Sequence, residues 1–584
     1  MAEAAETFHE ARMLFVRDGL LHHVGSAALH EGVARRHLGE YGRARNALDH
    51  RRGARKALQV ALPVTAEGIN MGRLNGMTVT VGAVIALVGV ANPAVAVTPG
   101  ATPTGVARPA SSIHWQACDA HPALDCATVP MPIDWSVPAG QTTPISVVRG
   151  KAAKPQQRKG VLIVNPGGPG GSGVDFATDI IENHVMSQSL ADNFDVVGFD
   201  PRGVARSAQL TCDDAVLNDW VNFYPETEPD YRGMLDHNDR LGRSCVQYSG
   251  PLADHADTTS VVRDVDALRQ ALGEDKISYY GKSYGTQIGQ QYAELFGEHL
   301  RALALDSNLD HSVDTMGFLV PQNQAFEDSF TDFAAWCRRT PACSLHNRDV
   351  LALWDDLYAK ATAGKLTRPG SSYALSVAQL REEVLYPFMY DPAGWPELAD
   401  WLKSLADGTP GSLRARSQDP GARSELPIWC GDWKWNEVDS FAALSAYRKR
   451  SEVVAPHTRL SPFYTQLTGC LGWSGQVNDP QHRLHVTQAP PILMTNSIHD
   501  VATPYRWARS VAAQLPTATL LAYGGTGHGT YRLSSCVRAA VDTYLLTLHT
   551  PAPGAHCPAE WPTTGDAGTA RPATLPDSPP VRQR

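Results

Sequence analysis

Seven short runs rich in Val, Ile, Leu and Tyr, with few charges, recur along the chain: Ile145–Val148, Val161–Val164, Asp195–Phe199, Ile277–Tyr280, Ala302–Leu305, Pro491–Thr495 and Thr519–Tyr523. Such runs read as strands buried on both faces. Helical spacing falls between several of them. After Thr258 and Thr259 come Val261, Val262, Val265, Leu268 and Leu272, three and four apart, stopped by Gly273. Alternating strands and helices predict an α/β fold, with a mostly parallel sheet covered by helices on both faces. The alternation breaks over residues 310–485, which are rich in Trp, Phe and Tyr and carry helical patterns at Phe326–Trp336 and Val350–Ala361. This stretch reads as an inserted helical lid. The sheet domain is thus expected in two parts, 113–309 and 486–560, on either side of it. A chain of 584 residues is too long for one compact core, in keeping with an insertion.

The ends read differently. Met77 to Ala91 is an uncharged apolar run preceded by Arg73 and followed by Ala94-Val95-Ala96. It has the length of a signal-peptide core and is shorter than the roughly 20 residues of a membrane span. Residues 1–96 are therefore an N-terminal extension with a secretion signal cut after Ala96, in preference to a retained anchor. Met71 is an alternative start, and the basic cluster between Arg35 and Lys56 reads as a solvated arm. Residues 97–112 read as a linker and 561–584 as a loose tail. The expected location is outside the cell or in its envelope, with no stable membrane span after cleavage.

Composition adds exclusions. Apolar residues make up 43% and charged residues 19%, with a net charge of −9 and no basic stripe, so nucleic acid is not an expected partner. All ten cysteines follow the cleavage point, which fits an oxidising compartment. Spacing leaves their connectivity open. The simplest pairing joins neighbours: Cys118–Cys126, Cys212–Cys245, Cys337–Cys343, Cys430–Cys470 and Cys536–Cys557. No pair has the C-x-x-C spacing of a zinc or redox site, so no metal and no cofactor are expected.

The chemistry concentrates after the fourth strand run. Gly281-Lys282-Ser283-Tyr284-Gly285 lies between a strand and the helical run Tyr284 to Phe296. A G-x-S-x-G turn in that setting is the nucleophile elbow of an α/β-hydrolase. A serine hydroxyl needs a base, and in this fold acid and histidine follow the serine along the chain. Asp500 follows one late strand and His528, among glycines, follows the next. His499 competes for the base, but it precedes the acid with no strand between them. The oxyanion needs backbone N–H donors. Tyr284, after the nucleophile, offers one, and Gly168 in the loop Asn165 to Gly173 the other. That loop lacks the Gly-Lys-Ser/Thr ending of a phosphate cradle.

These motifs together resemble the exported tripeptidyl aminopeptidases of actinobacteria, relatives of prolyl aminopeptidase. The resemblance rests on NPGGPGGSG (165–173), GFDPRGVARS (198–207), GKSYGT (281–286), Asp500 with Thr503-Pro504, GHGTY (527–531), and a tail holding Cys536-Val537, Ala540-Val541, Tyr544-Leu545 and Cys557. It covers roughly residues 113–560. The chain departs from the family at Ala205 and Ser307, where glycine is usual. The resemblance implies a serine peptidase that releases short peptides, tripeptides in the family, from a free amino end. The same triad on the same fold also serves carboxylesterases and lipases, and a non-catalytic surface protein is a third reading. A peptidase of this kind must pair the substrate α-ammonium with a carboxylate. The lid offers Glu327, Asp328 and Asp432, with Glu327 first because it lies in the lid's first helical run.

Overall fold

The computed structural model describes residues 113–409 and 422–562. The secretion signal, the extension before it and the 97–112 linker lie outside the described residues. No helix among the described residues is long and apolar enough to cross a membrane.

Among the described residues ten strands form one sheet: β1 (Gln116–Ala117), β2 (Asp125–Pro132), β3 (Thr142–Gly150), β4 (Val161–Asn165), β5 (Asp195–Phe199), β6 (Ile277–Lys282), β7 (Leu300–Asp306), β8 (Ile492–His499), β9 (Ala518–Thr526) and β10 (His556–Cys557). Their order is β1-β2-β3-β5-β4-β6-β7-β8-β9-β10. The pairs from β1 to β5 along one edge are antiparallel and the others parallel. β4 shows why its sequence is apolar throughout. Val161 and Ile163 pack into one core and Leu162 and Val164 into the other, on opposite faces of the sheet. This is the α/β-hydrolase fold.

All seven expected strands are present. β2 adds an eighth long strand that the apolar runs do not announce. Its sequence, DCATVPMP, alternates in burial and holds two prolines. The prolines are tolerated because β1 covers only Asp125 and Cys126, which leaves the rest of β2 as a sheet edge.

Between β7 and β8 the chain forms a helical insertion, beginning with the helix Thr315–Arg339, whose first turn is capped by Asp314 accepting from the Gly317 N–H at 2.6 Å. Aromatic packing organises the insertion. Phe318 meets Trp429, Trp433 and Trp435, and also Trp507 of the sheet domain. The structure joins the ten cysteines in the five neighbour pairs. At the carboxyl end the packed chain runs past the expected start of the tail. Trp561 stacks on Trp395, and the Pro562 carbonyl accepts from the Trp336 indole at 3.2 Å.

Candidate active site

The turn after β6 places Ser283 at φ 58° and ψ −127°, a conformation that L-residues rarely adopt. The surrounding chain holds it there. The Ser283 N–H donates to the Asp306 carbonyl at 2.9 Å, and its carbonyl accepts from the Thr286 N–H and hydroxyl. Glycine is required on both sides. A Cβ on Gly281 would lie 2.2 Å from the Gly285 carbonyl oxygen, and one on Gly285 would lie 2.7 Å from the Asn165 side chain.

Asp500 follows β8 and is fully buried. One of its oxygens accepts from the Ala502 and Thr503 N–H groups, each at 2.9 Å. The His528 ring approaches the same carboxylate through Nδ1, at 2.9 and 3.1 Å. That contact puts the proton of a neutral imidazole on Nδ1 and leaves Nε2 as the basic nitrogen. The His528 N–H also donates to the Tyr390 carbonyl, and the Tyr390 ring stands edge-on to the imidazole at 5.2 Å. His499 points elsewhere. Its Nδ1 pairs with Asp332 of the insertion at 2.6 Å.

Ser283 and His528 line one pocket, together with Gly168 and Tyr284. Tyr284 is the first residue of its helix, so its N–H has no partner inside the helix. Gly168 has φ 117°, and its neighbour Gly167 uses its own N–H on the Asn165 side chain at 2.9 Å. Leu309, Tyr390, Trp429 and Phe463 supply apolar walls, and Gln322, Gln466 and Glu425 polar ones.

Asp306 positions the histidine loop. Its buried carboxylate accepts from the Thr530 N–H at 2.8 Å, the Tyr531 N–H at 3.0 Å, the Tyr280 hydroxyl at 2.9 Å and the Thr495 hydroxyl at 3.1 Å. β6, β8 and the residues just after His528 are thereby tied to one group. The neighbouring Ser307 adds a second tie, accepting from the Gly529 N–H at 2.9 Å.

Both departures from the family's glycines fall at positive φ, 43° for Ala205 and 63° for Ser307. Each carries left-handed strain of roughly 1–2 kcal/mol. Only Ser307 has a compensating bond. Ala205→Gly is accordingly expected to stabilise the fold by about 1 kcal/mol with activity unchanged. Ser307→Gly relieves the same strain but frees the Gly529 N–H beside His528, so kcat should fall several-fold. Thermal denaturation with kinetics on both variants checks this, and equal kcat in the two would refute a positioning role for the Ser307 hydroxyl.

The structure does not bring Glu327, Asp328 and Asp432 to the pocket wall. Glu327 is buried, with its carboxylate accepting from the Thr458 N–H at 2.8 Å, the Thr458 hydroxyl at 2.7 Å and the His457 N–H at 3.2 and 3.3 Å. Those bonds occupy it as a tie between two parts of the insertion. Asp328 accepts from Gln324 one helical turn away. Asp432 is wholly buried, accepting from the Thr258 N–H at 2.9 Å and hydroxyl at 2.7 Å, and burial pushes its carboxyl well above the usual range. The acid among the pocket-lining residues is Glu425, 3% exposed in the helix Ala422–Asp432. Its signal in the sequence was its i, i+4 spacing from Trp429, which puts both on one helix face.

Residues 460–557 match the family model described as TAP-like protein. The tripeptidyl aminopeptidase of Streptomyces lividans is 30% identical over 475 residues, which are 76% of this chain and 87% of that protein. Carboxylesterase B of Mycobacterium tuberculosis is 33% identical over 465 residues, 74% of this chain and 86% of the relative. Serine protease Hip1 of the same organism is 29% identical over 462 residues, 74% and 87% of the two chains. With identity of this extent running through sheet and insertion alike, the chain belongs to the tripeptidyl aminopeptidase-like family of α/β-hydrolases and is a serine hydrolase.

Proposed function

We propose that this hydrolase is an exported aminopeptidase that releases short peptides, tripeptides by analogy with the Streptomyces relatives, from the free amino end of its substrates. The observation that carries the reading is Glu425, a buried carboxylate in the same pocket as Ser283. A carboxylate on the pocket wall suits a substrate ammonium, because burying that cation without a counter-charge costs several kcal/mol. The five disulfides support export to an oxidising compartment.

In this reading the Ser283 hydroxyl attacks the scissile carbonyl while His528 Nε2 takes its proton. Asp500 holds the ring and stabilises the imidazolium that forms. The Tyr284 and Gly168 N–H groups receive the oxyanion of the tetrahedral intermediate. His528 then returns the proton to the departing amine, leaving the peptide as an ester on Ser283. Water, deprotonated by the same imidazole, releases it.

The apolar walls Leu309, Trp429 and Phe463 and the carboxylesterase relative favour a second reading, hydrolysis of oxygen esters. A panel of tripeptide anilides with free and acetylated amino ends, beside short acyl esters, separates the two. Free-amine tripeptides are expected to exceed their acetylated forms at least tenfold in kcat/KM. Equal turnover of the two forms would remove the aminopeptidase assignment, and turnover of esters alone would install the esterase.

A further inference from the structure

Away from the catalytic pocket, one ring nitrogen each of His311 and His482 and an oxygen of Asp479 lie within 4.8 Å of one another. His311 follows β7, whereas Asp479 and His482 lie on the segment that returns from the helical insertion toward β8. Each imidazole is aimed by its far nitrogen. His311 Nε2 meets the Asp432 carbonyl at 2.7 Å, and His482 Nε2 meets the Glu294 carboxylate at 3.0 Å. Acceptors at those positions hold the proton on Nε2 and turn the Nδ1 atoms inward, the outer-shell arrangement that orients metal-binding histidines. Each Nδ1 stands 3.9 Å from an oxygen of Asp479. The Asp479 carboxylate is itself held by the Gln291 amide at 2.6 Å and the Thr259 hydroxyl at 3.1 Å.

The spacing is close to that of a coordination shell. Tetrahedral bonds of about 2.0–2.1 Å put ligand atoms roughly 3.4 Å apart; the two 3.9 Å pairs, which involve different Asp479 oxygens, need to close by about half an ångström, and the three donor atoms, within 4.8 Å of one another, by up to roughly 1.4 Å. The charge around the cluster points the same way. Asp479 is buried, and the Asp432 and Asp257 carboxyl groups are buried near it. Among the described residues no lysine or arginine forms an ion pair with any of these three acids, and the basic side chains within 4.0 Å of Asp479 are the two histidines. The buried Asp479 carboxylate, with no lysine or arginine partner, suits a bound cation.

We propose that His311, Asp479 and His482 bind a divalent metal ion of the zinc class, which fastens the returning end of the insertion to the sheet domain. The donor set of two imidazoles and one carboxylate suits zinc rather than calcium or magnesium, which take oxygen. Water fills the fourth position, since His482 leaves 39% of its side chain exposed. His482 Nδ1 also lies 3.1 Å from the Pro480 carbonyl and must turn from it to bind the ion. The cysteine spacing gave no warning of this site, because His311 and His482 are far apart in the chain and meet only on folding.

The test treats the full-length protein with a chelator, returns one equivalent of zinc chloride, and counts retained zinc by mass spectrometry after gel filtration. Unmodified protein and Ser283→Ala should each keep close to one zinc per chain, with a higher Tm than the stripped form. His482→Gln, at the exposed edge of the site, should keep less than a tenth of that and show no zinc-dependent Tm. Cobalt(II) in place of zinc should give the visible absorption of a tetrahedral site in the unmodified protein and in Ser283→Ala but not in His482→Gln. Absence of retained zinc in the unmodified protein, or equal retention by His482→Gln, overturns the proposal and leaves His482 as an imidazolium bridging Glu294 and Asp479.

Discussion

Replacing Ser283 with alanine is expected to lower kcat by at least about 10⁴-fold while leaving the fold intact. The backbone bonds that hold the elbow, from the Ser283 N–H to Asp306 and from Thr286 to the Ser283 carbonyl, survive the substitution. Alanine suffers no more at φ 58° than serine does. The change therefore removes an attacking oxygen and little else. His528→Ala should cost activity to a similar extent, since members of such a triad act as a unit. It is the less clean variant, because it strips the buried Asp500 of one partner and should also destabilise the protein by roughly 1–3 kcal/mol. The measurement is kcat on a tripeptide anilide alongside a thermal melt. A folded Ser283→Ala protein that kept a tenth of its activity would end the proposed mechanism.

The second large effect is expected at Glu425. Glu425→Gln should raise KM for tripeptide anilides with a free amino end by about 10- to 150-fold, the weight of a charge-assisted bond of roughly 1.5–3 kcal/mol. KM for acetylated anilides and for small esters should barely move, because they present no ammonium. Glu327→Gln supplies the contrast. Its carboxylate accepts from His457 and Thr458, so the loss should lie in Tm and not in discrimination between free and blocked ends. Equal KM changes on free and acetylated substrates in Glu425→Gln would show that this acid does not read the amino end.

Much of the architecture is legible without coordinates because it is built from neighbours in the chain. Buried strands such as β4 are apolar on both faces, so Val161 to Val164 announces itself. The elbow is a five-residue turn whose glycines are required by local contacts. Asp500 and His528 follow β8 and β9 directly, so strand order alone places them on one edge of the sheet. The cysteine pairs close loops no longer than the separation of 40 positions from Cys430 to Cys470.

Which lid acid faces the pocket was illegible, and the reason is physical. Glu327 lies in an aromatic helix near the active domain, and nothing within its own helix reveals that Thr458, 131 positions away, satisfies its carboxylate. Glu425 lines the Ser283 pocket because Trp429 of its helix and Trp433 just past the helix end pack on Phe318, which sets the rotation of that helix. The same holds for Ser307, which is tolerated where the family has glycine because its hydroxyl reaches Gly529, 222 residues further on. Periodicity and turn chemistry act over a few residues and specify strands, turns and the side of the sheet on which they end. The direction in which a polar side chain points in the insertion depends on partners brought from distant parts of the chain, and those come together only when the helices pack.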